Sequence, residues 1–205
     1  MSLANLPISV FDLLLLAVLA AGLLSGRQHG MSVELLDLAK WLALLFGSAA
    51  LYEVLGRQLA RSIPVFGLLS CYLVAYLGAA LLIFTLFALL KRSVGGKLLG
   101  SDIFGRGEYY LGMVSGMVRY SCVLLAALAL LNARSFSPHD VRTMRDFQKA
   151  QFGTDLFPTL HSLQTSVFQK SCIGPWIHRN LDFLLIKPTE PDNRQHHLRE
   201  VKAPF

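Results

Sequence analysis

Apolar residues along this chain gather into four long runs, Ile8–Ser25, Leu35–Gly56, Phe66–Leu90 and Leu111–Leu131. Charge, glycine and proline collect in the stretches between them. The third run extends for 25 residues without a formal charge. At ~1.5 Å per residue it is long enough to cross about 30 Å of hydrocarbon with some tilt. The pattern predicts an all-α integral membrane protein with four transmembrane helices and a C-terminal tail carrying two amphipathic helices. The first connection is a short turn, Gly26 to Ser32, with Ser32 expected to cap the second span and Glu34 to supply an acidic first turn. The second, Arg57 to Val65, ends near Pro64. The third, Lys91 to Tyr110, holds Gly95, Gly96, Gly100, Gly105 and Gly107 and is expected to be flexible.

Beyond Leu131 the periodicity changes. Ser137-Pro138 sets a capping hydroxyl before an N1 proline, and Val141, Met144 and Phe147 follow at spacing three, with Gly153 as a stop. A second helix is predicted from Pro175, its stripe formed by Trp176, Ile177, Leu181, Leu184 and Leu185 and broken only by Asn180. Trp176 suits a membrane–water boundary. From Lys187 onward the chain is polar, with three prolines, and is expected to be disordered. The predicted organisation is therefore a four-span membrane domain over 1–131, a helical tail over 132–186 and a disordered end over 187–205.

Composition agrees with a membrane setting. Hydrophobic residues make up 54% of the chain and charged residues 16%, too few charges to coat a water-exposed globule of this size. Ten of 19 Lys/Arg and seven of 13 Asp/Glu lie beyond Leu131, which supports dividing membrane part from tail there. Met1 to Asp12 carries no Lys or Arg, so the first run is read as an uncleaved span rather than a signal peptide. The pI near 9.4 does not indicate nucleic acid, because the basic residues are scattered instead of forming a stripe. They are expected to orient the chain and touch anionic headgroups. Cys71 and Cys122 fall within apolar runs and only Cys172 is expected to meet water, so no disulfide framework is predicted.

Two sets of positions carry candidate chemistry. Gly22, Gly26 and Gly30 recur every four residues and bare one helical face; Gly112 and Gly116 do the same on the fourth run. These are read as packing faces, the first apposed to the second or to another copy of itself. Asp12, Glu34, Asp37, Lys40 and Arg119 are ionisable residues in or at the ends of spans, where they normally face a partner, the bundle interior or water. Arg119, about 13 Å into its span, is expected to reach Asp37 by snorkelling. An interhelical charge pair is favoured over a polar pathway because no chain of such residues reaches the far side. The run GGKLLG lacks the spacing of a phosphate loop, and no metal-binding pattern or catalytic nucleophile is recognisable. No cofactor and no catalytic residue are predicted.

The stretch GLLSGRQHGMSVELLDLAKW, with Asp37 and Trp41 after Glu34 and with Phe11-Asp12 opening the first span, resembles the colicin V production protein (CvpA-type) family. Asp102 to Gly105 followed by LGMVSGMVRY is similar to that family's acidic-glycine loop and G-x-x-x-G-x-x-R helix, matched at Gly112, Gly116 and Arg119. SVFQKSCIGPWI resembles its tail motif of a serine before a proline, matched at Ser171 and Pro175 with Trp176 beside it. His29 and Val33 stand where the family's turn carries arginines, which leaves Arg27 as the turn's fixed positive charge. The resemblance implies a non-enzymatic protein of the bacterial inner membrane that supports peptide-toxin production or export and envelope homeostasis. A small channel or transporter subunit and a membrane anchor for an enzyme or export component are the alternatives. The expected partners are the bilayer, further copies of the chain and a secretion or envelope protein. Connections one and three hold five basic residues against two in connection two, which favours both termini outside the cytoplasm. Arg134, Arg142, Arg145 and Lys149 would reverse that count if the tail behaves as a short loop.

Overall fold

The computed structural model describes residues 9–63, 65–98, 108–137, 140–143, 146 and 159–189; for 29–34, 94–98 and 108 it describes backbone only. The described chain is helical, with no strand and one isolated bridge, Arg134 to Thr189. The long elements are α1 (Val10–Ser62), α2 (Leu68–Leu98) and α3 (Glu108–Asn132). They contain four segments long and apolar enough to cross a membrane, Val10–Gln28, Leu35–Ser62, Leu68–Ser93 and Tyr109–Asn132. The chain is a multi-pass membrane protein.

Helix α1 starts at a capping box: Ser9 Oγ accepts from Phe11 N at 3.4 Å, and Ser9 N donates to Asp12 Oδ2 at 3.0 Å. Its helical backbone continues through the predicted first turn, so Ser32 lies inside the run and opens no new helix. The chain nevertheless reverses there. A straight helix would hold Phe11 and Tyr52 roughly 60 Å apart, yet both belong to one buried cluster, and Ser25 and Asp37 both meet Arg119. α1 therefore folds back between Ser25 and Asp37 into two antiparallel arms. α2 and α3 pack on it. Two other boundaries move outward from the expected ones. The second arm runs to Ser62 instead of Gly56, stopping beside Ile63, the residue whose helical conformation Pro64 disfavours. α2 continues through Gly95 and Gly96 to Leu98, so the third connection is shorter than expected.

The bundle has two ends: one holds the α1 reversal, the other the start of α1 and the tail. At the tail end Tyr52 packs edge-on against Tyr72 and Tyr76, with ring centroids 5.6 and 6.4 Å away. The tail comprises α4 (Leu160–Thr165), a π-turn (Ser166–Lys170), α5 (Gly174–Asn180) and a 3-10 turn (Asp182–Leu184). It is packed onto the bundle. Val167, Phe168, Ile177, Leu185 and Ile186 share one buried cluster with Phe11, Tyr52, Leu128 and Ala129. Of the first predicted tail helix, Asp140–Thr143 is helical and Val141 N donates to Ser137 O at 3.2 Å. Met144, Phe147 and Gly153 lie outside the described residues.

The second tail helix is shorter than its stripe implied. It ends at Asn180: Leu181 N still donates to Ile177 O at 2.8 Å, but Leu181 itself leaves the helical region, with φ −119° and ψ 20°. The chain then turns inward. Phe183 stacks on Phe46 with ring centroids 6.4 Å apart, and Leu184 joins Leu45 and Cys122 in a buried cluster. Lys187 returns to the level of Glu53, to which it is paired at 3.2 Å. The seven-residue step from Phe46 to Glu53 corresponds to roughly 10 Å of helix, so the segment dips about that far into the bundle and comes back. Non-helical backbone at such depth is tolerated where protein buries it, and Leu184, Leu185 and Ile186 are buried. The residues after Ile186 are held as well: Thr189 N donates to Ala133 O at 2.9 Å and Ser135 N to Thr189 O at 3.1 Å. Order therefore extends through 187–189, and 190–205 lies outside the described residues.

Candidate functional site

Three groups of side chains stand out, and the glycine seam positions the others. Gly22 and Gly26 on the first arm of α1 face Gly112 and Gly116 on α3. A Cβ added at Gly22 would lie 2.8 Å from Gly116 O, and one added at Gly26 would overlap Gly112 O and come within 3.1 Å of Gly116 Cα. Backbone touches backbone here, which only glycine permits. The facing strip is α3 of the same chain. The surroundings of Gly30 lie outside the described residues.

Three residues further along α3 from the seam, the side chains begin to carry charge. Arg119 projects back along the helix toward the reversal, donating from Nη2 to Ser25 Oγ at 2.9 Å and bringing Nη1 to 3.9 Å from Asp37 Oδ2. Lys40 lies one turn after Asp37 and reaches its Oδ1 at 3.0 Å, while Lys91 comes across from α2 to Oδ2 at 3.2 Å. Asp37 is thus the hub of three cations drawn from α1, α2 and α3. Lys40 also rides over the rings of Trp41 and Phe84, at 5.8 and 5.3 Å, and Arg27 over Tyr109 at 5.2 Å. The side chain of Glu34 lies outside the described residues. Sequence reasoning named Asp37, Lys40 and Arg119 but missed Ser25 and Lys91. Ser25 was visible as the polar neighbour of Gly26; Lys91 was assigned to a loop, although it falls within α2.

At the opposite end the tail is pinned to the bundle by polar contacts. Asp12 is not part of the charge hub: its Oδ2 caps Ser9 and accepts from Cys172 N at 3.3 Å, while its Oδ1 is buried without a partner among the described residues. Tyr52 Oη accepts from Lys187 N at 3.3 Å, and Asn132 Nδ2 donates to Ile186 O at 3.1 Å. Ser171 is buried and works in both directions, donating to Val167 O at 2.6 Å and accepting from Gly174 N at 2.8 Å. It thereby closes the π-turn and starts α5, with Pro175 at that helix's first turn. Trp176 is 59% exposed and points away from the core formed by Ile177. The stripe expected from Trp176 to Leu185 is thus not one face. Ile177 and Leu184 turn inward, while Trp176 and Phe183 turn outward.

Among the described residues no group of three or more His, Cys, Asp and Glu side chains is placed to hold a metal ion. Compared with family models, curated proteins and solved structures, the chain matches none of them.

Proposed function

We propose that this chain is a non-enzymatic scaffold of the bacterial inner membrane, supporting peptide-toxin production or export and envelope homeostasis as its resemblance to colicin V production proteins implies. The observation that carries the reading is the way the tail is held. Contacts through Asp12, Tyr52 and Asn132 tie it to three different membrane segments. Such a tail presents an ordered surface at the membrane boundary, which suits docking of an export or envelope component and assembly with further copies. Deleting the gene should impair secretion of a peptide toxin and sensitise cells to detergent, and the wild-type gene should restore both. A deletion strain with normal secretion and a normal envelope would overturn the reading.

A small channel or transporter subunit is the second reading. It is favoured by the segment after α5, which carries non-helical backbone into the bundle, the kind of element that lines pathways in transporters when it lies at membrane depth. Purified protein in liposomes would then carry an ion flux abolished by Asp37→Asn or Arg119→Leu. Tight liposomes exclude this reading and leave the scaffold standing.

A further inference from the structure

We propose that the cavity between the end of α3 and the tail binds an anionic phosphate ester. The cavity has a volume of about 690 Å³, and its wall includes Asn132, His161, Gln164, Gln169, His178 and Arg179. That volume is in the range of small-molecule sites and exceeds what a bare phosphate needs, leaving room for a glycerol-sized head. The lining decides the sign of the ligand. It offers one guanidinium, two imidazoles, three amides and the hydroxyls of Ser135 and Thr165, with no carboxylate lining it among the described residues. An anion meets donors on several sides, whereas a cation finds no charged oxygen. Arginine's planar fork matches the oxygens of phosphate in particular.

The wall is preorganised by contacts made elsewhere. His161 sits edge-on to Phe136 with ring centroids 5.6 Å apart, and His178 edge-on to Phe168 at 5.7 Å. Gln164 is held by its bond to Arg134 O at 3.2 Å. Arg134 itself lies over the Phe136 ring at 4.8 Å, and its Nε is buried without a partner among the described residues. It adds a fixed positive charge behind the wall. The location points the same way. Asn132 ends the last span, and the exposed Trp176 lies on α5 beside the lining residues Pro175 and His178. Tryptophan marks the level of the headgroups, where lipid phosphates are concentrated.

The phosphate ester could be a lipid headgroup or a soluble molecule, and the test separates the two. The full chain is placed in nanodiscs of phosphatidylcholine with a minor fraction of phosphatidylglycerol, and retained lipid is counted by native mass spectrometry. Wild-type protein is expected to keep phosphatidylglycerol. Arg179→Gln should lower its retention about tenfold, the size of one lost charge-assisted contact. His178→Gln should lower it too, and Arg57→Gln, an exposed arginine of the second arm, should not. Arg179 and His178 are exposed, so equal melting temperatures in pure phosphatidylcholine are expected and show that the variants fold. In a second arm, glycerol 1-phosphate is added to the pure phosphatidylcholine nanodiscs. An Arg179-dependent rise in melting temperature would identify a soluble ester, and Arg179-dependent retention of phosphatidylglycerol alone would identify a lipid. Equal retention by wild type and Arg179→Gln with no effect of glycerol 1-phosphate, or an equal loss in Arg57→Gln, overturns the site.

Discussion

Asp37 shows how one residue can be worth more than any of its partners. Three cations converge on a single carboxylate, and the Asp37 and Arg119 side chains are only 17% and 15% exposed. Neutralising the carboxylate removes the shared partner of Lys40, Lys91 and Arg119 at once, whereas neutralising Arg119 leaves Asp37 still balanced by two lysines. Asp37→Asn should therefore destabilise the protein by about 1–3 kcal/mol, between the value of an exposed ion pair and that of a fully buried one. Arg119→Gln should cost clearly less, and a thermal melt in detergent would rank the two. Equal losses would mean that Arg119 acts mainly through Ser25. Ser171 makes a comparable case in the tail. Ser171→Ala removes the partner of a buried Gly174 N–H, so a loss of about 1–3 kcal/mol is expected. Gly174→Ala should cost more, because a Cβ there would overlap Val167 O. Limited proteolysis of the tail would report both, and unchanged cleavage in Gly174→Ala would show that the turn relaxes.

Elements in this protein are coupled by how closely they approach. The first arm of α1 and α3 touch through the Gly22/Gly26 and Gly112/Gly116 strips, so a side chain added at Gly26 must separate two helices. Gly26→Leu should destabilise by ~1–3 kcal/mol or more, by analogy with overpacked cores. Gly78 on α2 is the control, since a Cβ there meets nothing within 4 Å. Gly78→Leu should be neutral or mildly stabilising, through the better helix propensity of leucine. Identical melting temperatures for the two variants would mean that the seam serves something other than packing. The seam also governs the charge hub. It holds α3 against α1 at the depth from which Arg119 can reach Ser25 and Asp37, so Gly26→Leu is expected to weaken the hub as well.

On the scale of the whole molecule, the four spans among the described residues put the start of α1 and the tail at one end and Asp37 at the other. The basic residues of connections one and three lead us to propose that the Asp37 end faces the cytoplasm. The chain carries its own reporter of orientation, because Cys71 and Cys122 are buried and Cys172 is exposed. An impermeant maleimide should label Cys172 in intact spheroplasts. Protection there, with labelling after lysis, would reverse the orientation and mean that Arg134, Arg142, Arg145 and Lys149 count as a short cytoplasmic loop.

Much of the fold was legible one residue at a time, because a bilayer imposes a local rule. Each span must be apolar along about 20 residues whatever its neighbours are, so four spans could be counted before any packing was known. Glycines at spacing four announced a close helix contact for a similarly local reason, and a carboxylate two residues into a span announced a partner. The partners themselves were not local. That Lys91 of α2 reaches Asp37, that the glycine strip of α1 meets α3, and that Asn132 and Tyr52 hold the tail depend on which helices lie side by side. Two errors have the same origin. Hydrophobic periodicity from Trp176 to Leu185 read as one helix, but Leu181 leaves the helical conformation and the stretch turns into the bundle, where Leu184 packs on Leu45 and Cys122. The polar residues after Ile186 read as disordered, but Lys187 and Thr189 find partners in Tyr52, Glu53 and Ala133 that no sequence window contains. Transfer into a membrane is set by each segment's own composition, so the sequence alone determined the spans. The charge hub, the pinned tail and the cavity beneath it required residues more than 50 positions apart to meet, and only the tertiary structure decided those.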